Sequence, residues 1–131
     1  MSEDSYNKIA DVYATDMGQS MAHDDVGYYL QLCKGRGGRI LELGCGTGRI
    51  LLPLLKSGLD ICGIDQSPGM LDELQRQAAQ QHLSAETSLG TLVDFRVQQR
   101  CNTILAPYSV VTYLTEPALL AEFFASARLA L

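Results

Sequence analysis

Three glycines at alternate positions, Gly44, Gly46 and Gly48, follow an apolar run that contains Glu42. Glycine adopts left-handed backbone conformations and carries no Cβ, so backbone N–H groups and the start of a helix can approach a polar ligand at such a turn. The spacing also discriminates between ligands. A dinucleotide-binding turn reads G-x-G-x-x-G, and Arg49 stands where its third glycine would be. Twenty-one residues beyond Gly44, after a second apolar run, comes Asp65. A carboxylate at that point accepts two hydrogen bonds from a ribose diol. Its other reading is an acid near the positive dipole end of the next helix. Glu42 lies inside an apolar strand, where an unpaired carboxylate is costly. It is expected to accept hydrogen bonds from the glycine loop or to face a ligand ammonium.

These residues need elements to position them. Tyr6, Ile9, Ala10, Tyr13 and Met17 fall at helical spacing and predict an N-terminal amphipathic helix. Val26, Tyr29, Leu30 and Cys33 predict a second, with Asp24 or Asp25 as N-cap. A turn over 34–38 leads into a buried strand from Arg39 to Leu43. Thr47 to Ser57 reads as a helix closed by Gly58, with Pro53 removing one hydrogen bond and bending it. Asp60 to Ile64 reads as the second strand, and Ser67-Pro68 as cap and first residue of the helix after it. Ala85, Thr87 and Leu89 alternate weakly and predict a strand ending near Gly90; Thr103 to Ala106 is a fourth, stopped by Pro107. Thr115 would cap a last helix with Leu120, Phe123, Phe124, Ala127 and Leu131 on one face. Strands alternating with helices predict a doubly covered parallel sheet whose ligand lies at the carboxyl ends of the strands. Gly44 to Gly48, Asp65 and Pro107-Tyr108 all fall at such ends.

With 131 residues, nearly half of them apolar, the chain is long enough for one domain with a real core. Its net charge of −5 argues against an electrostatic grip on nucleic acid or anionic membrane, and neither partner is expected. No apolar stretch approaches the roughly 20 residues that span a bilayer. The four cysteines, Cys33, Cys45, Cys62 and Cys101, show no metal-ligand spacing and read as buried, reduced thiols of a cytoplasmic protein with no signal peptide. No metal is expected.

Glu42-Leu43-Gly44-Cys45-Gly46-Thr47-Gly48 resembles the first motif of class I S-adenosylmethionine-dependent methyltransferases, and Gly63 through Leu71 resembles the second. Tyr6 to Tyr13 is similar to the lid helix of the small-molecule branch of that superfamily, and Asp25 to Leu32 to the helix leading into the first strand. The four motifs stand in order over residues about 6 to 75. The resemblance implies a Rossmann-like αβα sandwich of sheet order 3-2-1-4, with lid helices over 1–34 and the cofactor-binding part over 35–131. It implies S-adenosyl-L-methionine as cofactor. Gly44 and Gly46 would meet its methionine part, Asp65 its ribose, and Gln66 and Met70 its adenine, with Glu42, Cys45 and Gly48 also at the cofactor. Thr91, Leu92 and Pro107 would complete the cofactor site, and Tyr6, Tyr13 and Tyr108 would face the substrate. Phe95 sits where relatives carry an aspartate-phenylalanine pair after the third strand.

The resemblance also has gaps. Thr91 replaces an aspartate that meets the adenine amino group in relatives, and Asn102 replaces one before the fourth strand, which bears on cofactor affinity. Complete members resemble a seven-stranded sheet, and strands five to seven have no counterpart here. Thr103 to Ala106 would then be an apolar edge strand, an invitation to pairing that predicts a homodimer or a partner chain. The leading reading is a methyltransferase acting on a small-molecule acceptor by in-line displacement, in which the protein aligns the reactants and excludes water. A binding module or half of a split enzyme is the alternative. A nicotinamide-dependent oxidoreductase is disfavoured by Arg49. No catalytic base is assigned; His23, the better placed of two histidines, reads more simply as a surface residue.

Overall fold

The computed structural model describes residues 25–91, 95–106 and 117–131. The predicted N-terminal helix with Tyr6 and Tyr13, His23, the Asp24 cap, Leu92, Pro107, Tyr108 and the Thr115 cap lie outside the described residues. The elements are α1 (Asp25–Arg36), β1 (Ile40–Leu43), α2 (Leu51–Lys56), β2 (Ile61–Asp65), α3 (Pro68–Gln80), β3 (Glu86–Leu89), β4 (Thr103–Leu105) and α4 (Pro117–Ala130). The four strands form one sheet in the order β3-β2-β1-β4, and every neighbouring pair is parallel. The expected order is therefore the observed one, with β4 at an edge of the described sheet.

Strand periodicity sorts the core into two layers. Ile40 and Ile61 point to one face, where they pack with Cys33 of α1, Leu51, Leu52 and Leu54 of α2, and Leu71, Leu74 and Ala78 of α3. Leu41, Leu43, Cys62 and Ile64 point to the other, against Phe95, Cys101, and Phe123 and Ala130 of α4. Glu42 shares the first face with Ile40 by the same alternation. Both faces are covered, so β1 is buried at all four positions and reads as a continuous apolar run broken by one acid.

Three local expectations change. α1 continues through Gly35 to Arg36, so of the turn expected over 34–38 only Gly37 and Gly38, both at positive φ, remain. The helix after the glycines begins at Leu51 rather than Thr47, because Gly48 at φ +93° keeps the chain in a turn. Pro53 falls in the first helical turn, between the Leu52 N–H to Gly48 carbonyl bond at 2.9 Å and the Leu54 N–H to Ile50 carbonyl bond at 3.2 Å, so one bond of that ladder is missing as expected, at a place where proline is tolerated. The apolar face of α4 is shifted from the expected one. Phe123 and Ala130 are buried, whereas Phe124 and Leu131 are exposed at 62% and 51%. Elsewhere local chemistry behaves as read. The Ser67 hydroxyl accepts the Met70 N–H at 3.2 Å, with Pro68 at the first helical position. Gly58, at φ +91°, closes α2. Among the described residues no helix is long and apolar enough to cross a membrane.

Candidate functional site

The carboxyl ends of β1 and β2 are stitched together by backbone. The N–H groups of Gly44 and Cys45 both donate to the Ile64 carbonyl, at 2.8 and 3.2 Å. The chain then winds through Gly44, Gly46 and Gly48 at φ +65°, +57° and +93°. Each alternate position thus requires the left-handed region, which explains the glycine spacing as turn geometry. A Cβ on Gly48 would also lie 2.9 Å from side-chain carbons of Leu52 and Leu74. The turn ends as the Leu52 N–H bonds the Gly48 carbonyl at 2.9 Å.

Asp65 closes this turn from the neighbouring strand. Its Oδ2 accepts the Gly46 N–H at 2.8 Å and its Oδ1 accepts the Ser67 N–H at 3.0 Å. One carboxylate thereby fixes the glycine turn and the start of α3 together. A carboxylate offers about four acceptor sites, so two remain for ligand hydroxyls. The helix-start role and the ribose role are compatible on the same side chain.

Glu42 is the least conventional group. It is 3% exposed, at the last turn of β1 before the glycines. The Leu51 N–H at the start of α2 donates to its carboxylate, not the glycine loop that sequence reasoning expected. Its Oε1 is buried without a hydrogen-bond partner. Burial pushes its carboxyl well above the usual carboxylate range; Arg49 opposes that shift and Asp65 adds to it. A buried acceptor of this kind is costly in the ligand-free chain and is ready for a cationic or N–H donor.

The other candidates divide clearly. Cys45 is buried, and burial pushes its thiol well up, so it packs rather than reacts. It presses against β2 so closely that a Cβ on Gly63 would lie 2.6 Å from its Sγ. Met70 is 2% exposed and belongs to the interior beneath the rim, whereas Gln66 and Thr91 are exposed at the ends of β2 and β3. Phe95 is buried against Phe123 with ring centroids 6.2 Å apart. Asn102 is not at this site. Its Oδ1 accepts the Arg39 N–H at 3.1 Å at the amino end of the sheet, so its replacement of an aspartate does not touch the glycine turn. All four cysteines are buried free thiols.

Sequence reasoning missed one pair. Arg49 donates to both carboxylate oxygens of Asp25, at 2.9 and 2.5 Å, and so ties the glycine turn to α1. The signal was present in the arginine at the place of a third glycine. Its acidic partner 24 residues upstream had no local mark.

Comparison with known proteins agrees with this geometry. The family described as "Methyltransferase domain" matches residues 40–130. An uncharacterized methyltransferase of Emericella nidulans is 33% identical over 125 residues, covering 79% of this chain and 42% of its own length. The structure of the CcbJ methyltransferase from Streptomyces caelestis superposes with a TM-score of 0.82 at 27% identity, over 98% of this chain and 53% of that one. The glycopeptide N-methyltransferase MtfA complexed with (S)-adenosyl-L-methionine shares the fold, with a TM-score of 0.67 at 21% identity over 79% of this chain and 47% of that one. The chain therefore spans about half the length of the proteins it matches.

Proposed function

The chain belongs to the class I S-adenosylmethionine-dependent methyltransferases, and on that premise we propose that it holds S-adenosylmethionine at the carboxyl ends of β1 and β2 and methylates a small-molecule acceptor. The observation that carries the reading is the pair of acids flanking the glycine turn. Asp65 retains free acceptor sites after capping two backbone N–H groups, and Glu42 keeps a buried oxygen without a partner. The two suit a ribose diol and an α-ammonium group, two polar groups of one ligand.

The bound cofactor supplies a methyl group already activated on a sulfonium. The chain's own part is positional. Gly44, Cys45, Gly46 and Gly48 present backbone to the methionine portion without side chains in the way. Asp65 holds the ribose, while Gln66, Met70, Thr91, Leu92 and Pro107 form the adenine side. Tyr6, Tyr13 and Tyr108, with the segment that precedes α1, close over the acceptor and exclude water. These last roles rest on the family resemblance.

Four free buried thiols favour a cytoplasmic, reducing setting. The exposed Phe124, Leu129 and Leu131 of the C-terminal helical segment, with β4 at a sheet edge, favour a second copy of the chain or a partner chain over that side. A monomeric mass by light scattering at micromolar concentration would remove the homodimer.

Calorimetric titration with S-adenosylmethionine and with S-adenosylhomocysteine tests the function. Saturable binding of both, with no response to NADH, is expected. Silence with both at millimolar ligand rejects the reading.

A further inference from the structure

Glu42 carries one buried oxygen with no partner, and among the described residues the cation acting on it is Arg49. The groups that face this region are Tyr29 from α1, Arg49 and Cys45 from the glycine turn, and Asp65 from β2. Arg49 also engages a second acid. Its two terminal nitrogens are held by the two oxygens of Asp25, and both side chains are largely covered, at 18% and 27% exposure. A bidentate arginine–carboxylate pair has a defined plane as well as a charge. The pair joins the first residue of α1 to the residue that follows Gly48. α1 is itself anchored in the core by Cys33.

We propose that Asp25 and Arg49 are positioning residues for the amino-acid end of the cofactor. Their ion pair pins the end of the glycine turn to α1 and fixes a cation beside Glu42, while leaving Oε1 of Glu42 open to the ligand's ammonium group. The inference rests on the cofactor reading above and adds two residues to which that reading gives no role. It also gives a reason for arginine at a position where a dinucleotide turn needs glycine. There the helix must approach the strand closely, whereas here the position reaches outward to α1.

The test compares two ligands that share adenosine and sulfur but differ in the amino-acid end. S-adenosylhomocysteine carries the α-ammonium and carboxylate; 5′-methylthioadenosine lacks both. The full chain is titrated calorimetrically with each, as wild type and as the Arg49→Met, Asp25→Asn and Arg49→Lys variants. The wild type is expected to prefer S-adenosylhomocysteine. Arg49→Met and Asp25→Asn should each weaken that ligand by about tenfold or more while changing 5′-methylthioadenosine by about twofold at most. Arg49→Lys restores the charge but not the fork, and should fall between. Equal loss for both ligands makes the pair a general support of the fold and overturns the inference. So does a wild type without the preference, or an Asp25→Asn variant that keeps full affinity while Arg49→Met loses it, since Arg49 would then act without its partner. Where Arg49→Met fails to fold by circular dichroism, Asp25→Asn and Arg49→Lys carry the same comparison. A wild type that binds neither ligand removes the cofactor reading as well, and so is distinct from the other outcomes.

Discussion

The two ends of the same sheet use charge in opposite ways. At the amino ends, Arg39 donates to Asp60 at 2.7 Å and to Glu86, and these two carboxylates are 62% and 65% exposed. Asn102 closes that end against the Arg39 backbone. At the carboxyl ends, Asp65 spends its oxygens on backbone N–H groups, and Glu42 is buried with an oxygen left over. In the first the carboxylates stand in solvent, although the Arg39 side chain is only 15% exposed and its Nε is buried without a partner. In the second Glu42 is covered, Asp65 is half-buried, and both are organised around glycines at positive φ. Charges that only decorate a fold can stay in water; charges that receive a ligand must be held out of it at a cost to the ligand-free chain.

Disturbing each end in turn sharpens this contrast. The largest effect is expected from Asp65→Ala. Loss of charge-assisted hydrogen bonds should weaken S-adenosylhomocysteine and 5′-methylthioadenosine alike, by about 30-fold or more, because both carry the ribose. Unchanged calorimetric affinity refutes the ribose assignment. Next comes Gly63→Ala, which would place a carbon 2.6 Å from the Cys45 Sγ and 2.7 Å from Leu51 Cδ1. Overpacking of this kind costs about 1–3 kcal/mol, read from urea denaturation midpoints. A neutral result would mean that the glycine turn yields, contrary to its rigid bonding.

Glu42→Gln should do the reverse in the ligand-free chain. The folded-state carboxyl is raised by burial, so its contribution to stability is present at low pH and is lost as pH rises through the raised value. Glutamine does not titrate and keeps an acceptor for the Leu51 N–H. The variant should therefore gain on wild type as pH increases, by about 1–3 kcal/mol at alkaline pH, while binding S-adenosylhomocysteine more weakly. A stability difference independent of pH would sink this account. The smallest effect is expected at the amino ends. Arg39→Met should cost less than about 1 kcal/mol, and the cost should shrink in high salt, because the partners are exposed. A loss comparable to that of Gly63→Ala would erase the distinction between the two ends.

Much of this was legible along the chain. Alternating glycines, the apolar strands and Ser67-Pro68 encode their structures locally, through backbone freedom, side-chain periodicity and capping, and the sheet order follows from the resemblance they carry. What failed had a non-local cause. The start of α2 depends on the actual torsion at Gly48, held where a Cβ would meet Leu52 and Leu74. Phe123 and Phe124 are neighbours of equal hydrophobicity, and only the docking angle of α4 decides that the first is buried and the second exposed.

The candidate site divides along the same line. Residue type and order alone determined the parallel αβα class, the glycine turn and the acid after β2, since each is a property of a short segment. Tertiary structure alone decided that Asp65 grips Gly46, that Glu42 turns to Leu51 with one oxygen unspent, that Arg49 reaches Asp25, and that Asn102 belongs to the far end of the sheet. Those are relations between residues 9 to 63 positions apart. A hydrogen bond across such a distance leaves no periodicity in the chain, because it depends on where two independently formed elements come to rest.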